Sequence, residues 1–251
     1  MTALRLAGSS IAVWGLATGL VMATPRQSSS SSSLVEFDNP FGRHATFDVN
    51  GPIDQTNPFF QSLGTNGRAC ITCHQPSDGW TITPVHIRDR FDATHGLDPL
   101  FRTNDGSNSP DADVSSEGAR RKAYNMLLSK GLIRVGIGLL DSAEFELIDV
   151  DDPYGHASKA DLSLFRRPLP STNLAFLATV MWDGRETFAG QSIHFDLSDQ
   201  SNAATLGHAA AAQPLTNDQR EEIVAFETGL FTAQIFDNDA GDLRVRGANG
   251  G

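Results

Sequence analysis

The stretch Asn66-Gly67-Arg68-Ala69-Cys70-Ile71-Thr72-Cys73-His74-Gln75-Pro76 holds both cysteines of the 251-residue chain, with a histidine directly after the second. Four chemistries use such a group: a disulfide, a thioredoxin-like dithiol, part of a zinc site, or covalent attachment of haem. A two-residue spacer closes a loop too small to restrict the unfolded chain much, so a structural disulfide is a weak explanation. A redox CxxC sits in a βαβ frame, and no buried-strand pattern precedes the pair between Asn57 and Thr72. Zinc needs a fourth ligand beside Cys70, Cys73 and His74, and no second cysteine or paired-histidine cluster at ligand spacing supplies one. Haem attachment uses all five residues from Cys70 to His74. The two thiols add across the haem vinyl groups, and the adjoining imidazole becomes the proximal iron ligand. The expectation is one covalent haem c on Cys70 and Cys73, its iron bound by His74.

Haem c is attached outside the cytoplasm, and the N-terminus agrees with export. Met1 to Leu6 carries Arg5 and no acid, and Ile11 to Ala23 is an almost unbroken apolar run ending in Val21-Met22-Ala23. That is the layout of a secretory signal peptide over residues 1–23. An uncleaved anchor competes, but a span needs about 20 apolar residues and Ser9-Ser10 shorten this one. Residues 24–36 include six consecutive serines, Ser28 to Ser33, and read as a flexible linker. A haem domain is expected over 37–236 and a loop-like tail over 237–251. The expected location is periplasmic or otherwise exported, with membrane contact only if the leader is uncleaved.

With 30 Asp and Glu against 19 Lys and Arg, the chain has a formal charge of −11, and cleavage would remove Arg5 as well. Phosphates would be repelled, which argues against a nucleic-acid partner. Docking of a basic redox partner is compatible with this charge, although acidity more often serves solubility alone.

The flanks of the motif suggest helices. Asn57 and Pro58 open one that carries Phe59, Phe60 and Leu63 and stops at Gly64. Thr83 and Pro84 open another, with Val85, Ile87 and Phe91 as its apolar face and Ile82 as staple to Ile87. Ala119, Ala123, Met126 and Leu127 mark a third from Ser116 to Lys130. The segments 132–139 and 145–150 are β-rich and suggest a hairpin. Thr216-Asn217-Asp218-Gln219 is a capping box opening a helix with Ile223, Val224, Phe226, Leu230 and Phe231 toward the core. The expected fold is mainly α, a c-type cytochrome-like helical domain with a small β-hairpin.

Five blocks, "FFQSLGTNGRACITCHQPSDGW", "LFRTNDGSN", "LIRVGI", "MWDGRETF" and "LTNDQREEIVAFETGLFTAQ", occur in this order between Asn57 and Gln234. Together they resemble the bacterial di-haem cytochrome c peroxidase family, which includes the MauG-type enzymes. The CxxCH is common to all c-type cytochromes; the later Trp-Asp-Gly-Arg and the order of the blocks are more specific. The resemblance implies an N-terminal haem domain that reduces hydrogen peroxide and a second haem domain that supplies or stores an electron. These 251 residues contain one CxxCH and look like the first half of such a protein. A truncated product, a fragment and a single-haem relative all remain open, as do a peroxidase-type oxidoreductase working with a partner that bears another haem, a non-enzymatic electron carrier, and a sensor or assembly module.

By the same resemblance Trp182 lies between two haems as an electron relay, and Arg185 faces a haem propionate. The alternative is that Trp182 is core and Arg185 pairs with Asp183 or Glu186. For the sixth iron position Met181, Met126, His86, His95, His194 and His208 are candidates, beside an open site. Gln191, Gln200 and His208 are polar groups after the Trp-Asp-Gly-Arg block, but the spacing of the family's distal Gln and Glu is not kept. His44 and His156 lie in Gly- and Asp-rich surroundings and are expected to be solvated.

Overall fold

The computed structural model of the chain describes residues 33–245. The expected signal peptide, and the serine run apart from Ser33, lie outside them. In chain order come strands β1 (Leu34–Asn39) and β2 (Gly42–Asp48), helices α1 (Pro84–Thr94), α2 (Glu117–Ala123) and α3 (Asn125–Lys130), strands β3 (Ile133–Ile137) and β4 (Leu162–Arg166), helices α4 (Ile193–Gly207) and α5 (Asn217–Gly229), and strands β5 (Leu230–Asp237) and β6 (Gly241–Asp242). Single 3-10 turns at Pro58–Phe60, Cys70–Thr72, Pro76–Asp78 and Leu174–Phe176 punctuate the loops.

The expectation of a mainly helical fold is wrong: this is a mixed α/β fold with two antiparallel sheets, one of four strands in the order β1-β2-β5-β6 and one of two, β3-β4. The four-stranded sheet joins the two ends of the described chain, because β2 pairs with β5 from Asp48↔Leu230 to Gly42↔Asp237. Residues 34–36, assigned to the linker, belong to β1, and the expected tail contributes β6. Gly42, at φ +139°, has no room for a side chain, since a Cβ would stand 2.2 Å from the Phe236 carbonyl oxygen.

The expected hairpin pairs differently. β3 takes Leu162–Arg166 as its partner, with Ile133 opposite Arg166 and Ile137 opposite Leu162. In the intervening excursion Phe145 and Ile148 are exposed. Their alternation with acidic residues imitates a strand, but no sheet edge receives it.

The expected helix from Ser116 to Lys130 is two helices. Asn108 enters its hydrogen-bond ladder: its amide N–H donates to the Ala123 carbonyl, its Nδ2 to the Lys122 carbonyl, and its Oδ1 accepts from Met126 N–H. An inserted side chain of this kind interrupts the i→i−4 pattern, and Tyr124 leaves helical geometry at the break. The expected helix after Asn57 is one 3-10 turn, although Asn57 does cap it and Pro58 is its first residue. Thr83 and Pro84 do begin α1, but the Thr83 hydroxyl donates to Asp78, and Val85 is exposed while Ile82, Ile87 and Phe91 are buried. The capping box Thr216/Gln219 forms as expected.

The core consists of three clusters. Ile82, Ile87, Phe91, Leu100, Phe101, Tyr124, Leu127, Leu128 and Ile133 form the first. Phe59, Trp80, Leu215, Ile223, Phe226 and Leu230 form the second, and Leu174, Val180, Leu197 and Val224 the third. The large sheet also reaches the loop after the cysteine motif: His44 Nε2 contacts the Pro76 carbonyl at 3.0 Å, and Thr46 Oγ1 accepts from Trp80 Nε1 at 3.0 Å. His44 is therefore buried, stacked on Phe37, and not solvated as expected. His156 is also partly buried and contacts Asp161 at 3.0 Å. No described helix is long and apolar enough to cross a membrane.

Candidate functional site

The Cys70–Thr72 turn closes through Thr72 N–H to the Ala69 carbonyl, and Cys73 and His74 N–H groups both donate to the Cys70 carbonyl. Cys70, Cys73 and His74 all line a cavity of about 570 Å³. The volume is within the ~300–1,000 Å³ of cofactor and small-molecule sites. All three apolar clusters contribute to its wall, through Ile133, Ile223, and Leu174, Val180 and Leu197. The two cysteines are free thiols packed against different clusters, Cys70 beside Ile223 and its neighbours and Cys73 beside Phe91 and its neighbours. Burial pushes both thiols up, Cys73 to about 11, so neither is a thiolate at neutral pH. Such surroundings suit neutral sulfur, the form present in a thioether.

His74 Nδ1 stands 2.9 Å from the Trp80 carbonyl oxygen and 3.0 Å from Ser171 Oγ. A carbonyl accepts only, so the close contact requires the proton on Nδ1 and leaves the lone pair on Nε2. Fixing one ring nitrogen on a carbonyl orients the other for a metal. Trp80 presents that carbonyl from a left-handed backbone, φ 63°, with its ring buried against Phe59 and Phe226. The same oxygen accepts Ser171 N–H at 3.0 Å and so holds Ser171 against the imidazole. Burial drives the His74 pKa down to about 4, helped by the His208 charge and opposed by the Trp80 and Leu169 carbonyls. The imidazole is neutral, as a ligand must be.

Two further buried groups border the cavity. Glu227, in the last turn of α5, is 6 % exposed, and its Oε2 has no partner. Burial pushes its carboxyl up to about 7 against a stabilising hydrogen bond from Ser171. Arg68, two residues before Cys70, pairs with Asp105 and donates to the Pro99 and Leu100 carbonyls. Asp105 also holds His208 Nδ1. Burial alone would raise the Asp105 pKa, but the His208 hydrogen bond and the Arg68 charge hold it below the usual carboxylate range.

Of the candidates for the sixth position, Met181 and His208 line the cavity, while Met126 does not. His86, His95 and His194 pair elsewhere with Asp78, Glu117 and Glu221. Trp182 and Arg185 both border the cavity. Trp182 is 60 % exposed, which removes the alternative that it is core, and its Nε1 donates to the Arg167 carbonyl at 2.9 Å. Arg185 does pair with Asp183, at 3.0 Å. Gln200 borders the cavity and Gln191 does not. A second cavity of about 280 Å³ shares Asp105, Met181, Arg185, Gln200 and His208 with the first, giving the site a polar side.

This donor set fits haem: two uncharged thiols and one neutral, oriented imidazole share an apolar wall, with arginines at the same cavity to face carboxylates. Among the described residues no three His, Cys, Asp or Glu side chains converge as in a protein-only metal site. Comparisons with protein-family models, curated proteins and solved structures returned no match.

The motif reading did not find Trp80, Ser171, Glu227, Asp105 or Arg68. Only Glu227 carries a sequence signal: it stands four residues after Ile223 and three after Val224, so α5 places a carboxyl on its own apolar stripe.

Proposed function

We propose that this chain is an exported c-type haem protein of redox function, with Cys70 and Cys73 as thioether anchors and His74 as proximal iron ligand. The observation that carries the reading is that these three side chains line one largely apolar cavity, with His74 Nδ1 tied to the Trp80 carbonyl. When bound, haem supplies one-electron chemistry and an axial position whose ligand sets its use. The protein's own part is to orient Nε2 of His74, to exclude water with the Ile133, Leu174, Val180 and Leu197 wall, and to offer His208, steadied by Asp105, on the polar side. Together with the ordered sequence blocks this supports peroxide reduction in concert with a partner bearing a second haem, Trp182 at the cavity rim serving as the relay. A single-haem electron carrier is the second reading, favoured by Met181 and His208 on the same cavity.

Denaturation followed by acid-acetone extraction tests the cofactor. Colour that stays with the polypeptide supports the assignment, and haem in the organic phase overturns it. Ferric and ferrous spectra with and without peroxide then separate the two uses. An iron that keeps Met181 or His208 in both oxidation states is a carrier.

A further inference from the structure

His208 follows the last residue of α4 and lines both cavities. Its backbone is fixed by residues that lead into the cysteine motif: the carbonyl accepts Asn66 Nδ2 at 2.8 Å and Arg68 Nη1 at 3.2 Å, and Asn104 Nδ2 adds a third bond at 3.3 Å. Its ring is fixed through Nδ1 by Asp105, which is buried and paired with Arg68. A carboxylate held by a guanidinium accepts only, so Nδ1 carries the ring proton and the lone pair is on Nε2. Among the described residues no hydrogen bond occupies that Nε2. A histidine whose Nδ1–H is held by a buried carboxylate is an oriented base, and the same carboxylate stabilises the charge the ring gains on taking a proton. Around it the second cavity, about 280 Å³, presents Gln200, Arg134 and Arg185. One water takes up ~30 Å³ of liquid, so a molecule of two oxygens has room there beside solvent.

We infer that His208 is a catalytic residue that moves a proton between the two oxygens of hydrogen peroxide, and is not an iron ligand. The inference rests on the peroxide-reducing haem reading above. An O–H bond of the inner oxygen breaks and an N–H bond forms on Nε2 of His208. As the O–O bond breaks with its electron pair on the outer oxygen, the same proton passes from Nε2 to that oxygen, which leaves as water. The inner oxygen takes two electrons, from the haem and redox partner of that reading, and two protons from solvent to give the second water. Transfer of this kind by a positioned side chain contributes about 10²–10⁴-fold in rate.

The test uses the purified holoprotein and its His208→Leu and His208→Gln variants, with covalent haem established first by acid-acetone extraction. Three rates are read by stopped-flow absorbance: reaction with hydrogen peroxide, binding of hydrogen cyanide to the ferric form, and binding of carbon monoxide to the ferrous form. Hydrogen cyanide binds ferric iron as the anion and must give up a proton, whereas carbon monoxide has none to lose. Both variants should slow the peroxide and cyanide reactions, the former by about 10²–10⁴-fold, and leave carbon monoxide binding unchanged. His194→Gln, an exposed change on α4, should move none of the three. If His208→Leu does not accumulate, His208→Gln carries the test, since its amide donates to Asp105 but holds no basic nitrogen. Unchanged peroxide and cyanide rates overturn the inference and leave the haem assignment standing. Faster binding in the variants overturns it in favour of His208 as an iron ligand, and equal slowing of all three rates overturns it in favour of a structural role. A wild-type protein without covalent haem overturns both readings.

Discussion

The carbonyl oxygen of Trp80 stands 2.9 Å from His74 Nδ1, presented there by a residue in the left-handed region at φ 63°. The isolated bridge Gln75↔Thr81 closes the loop between them, and the indole is pinned from the sheet by Thr46. The imidazole of the CxxCH motif is therefore oriented by the large sheet, not by the motif itself.

Thr46→Val keeps the shape of the side chain and removes the acceptor of the buried Trp80 Nε1–H. Leaving that donor unsatisfied costs about 1–3 kcal/mol. The melting temperature should fall by about 2–4 °C per kcal/mol for a chain of this size. An unchanged melting curve would show that the indole finds another partner.

Glu227 makes stability depend on pH. Its carboxyl is raised from 4.5 to about 7 in the folded chain, so between those values the native state binds more protons than the unfolded one. Unfolding free energy should then decline as pH rises from 4.5 to 7, by at most about 3 kcal/mol. Glu227→Gln should remove this slope, equalling the wild type near pH 4.5 and exceeding it at pH 8. Denaturant titrations at the two pH values check the sign, and parallel pH profiles would refute it.

Asp105 has the opposite sign. Its carboxyl is held below 3.8, so its stabilisation is present above that pH and is lost as acid protonates it. Asp105→Asn breaks the buried pair with Arg68 and should cost about 3–5 kcal/mol at pH 7. The difference from wild type should shrink below pH 3.8.

Gly64→Ala would place a Cβ 1.8 Å from the Ala209 carbonyl oxygen. That oxygen accepts Thr65 N–H at 3.0 Å and ties the loop before the cysteines to the residue after His208. The substitution should separate these segments and destabilise the protein by more than the about 1 kcal/mol typical of point changes. Equal stability would mean that the two loops are not held together in solution.

Trp182→Phe should change stability by no more than about 0.5 kcal/mol, since the ring is 60 % exposed. It is thus a clean probe of the relay role. Slower electron exchange with a haem-bearing partner at unchanged melting temperature supports that role, and an unchanged rate removes it.

In the sequence, several local signals are legible where a few adjacent residues settle the outcome, although Asn57 and Pro58 open only a 3-10 turn. Gln219 lies three residues after Thr216 and completes the capping box, Pro84 starts α1, and the two-residue spacer brings Cys70, Cys73 and His74 onto one turn. The tertiary structure decided what depends on distant partners. Val35 looks like a linker residue and Asp242 like part of a loop-like tail until β1 pairs with β2 and β6 with β5. The α4 helix escaped notice because its buried face is Asp196, Leu197, Ser201 and Thr205, with little apolar periodicity to read. Asn108 splits the helical stretch that begins at Glu117, and β3 finds its partner beyond an exposed excursion that imitates a strand. Ser171 meets His74 across 97 residues of chain and Glu227 lines the same cavity across 153, and no local pattern encodes such a meeting. Hydrogen bonds and apolar contacts act over a few ångströms in space whatever their separation in sequence, so the motif specifies the ligand and the packing of the whole chain specifies its surroundings.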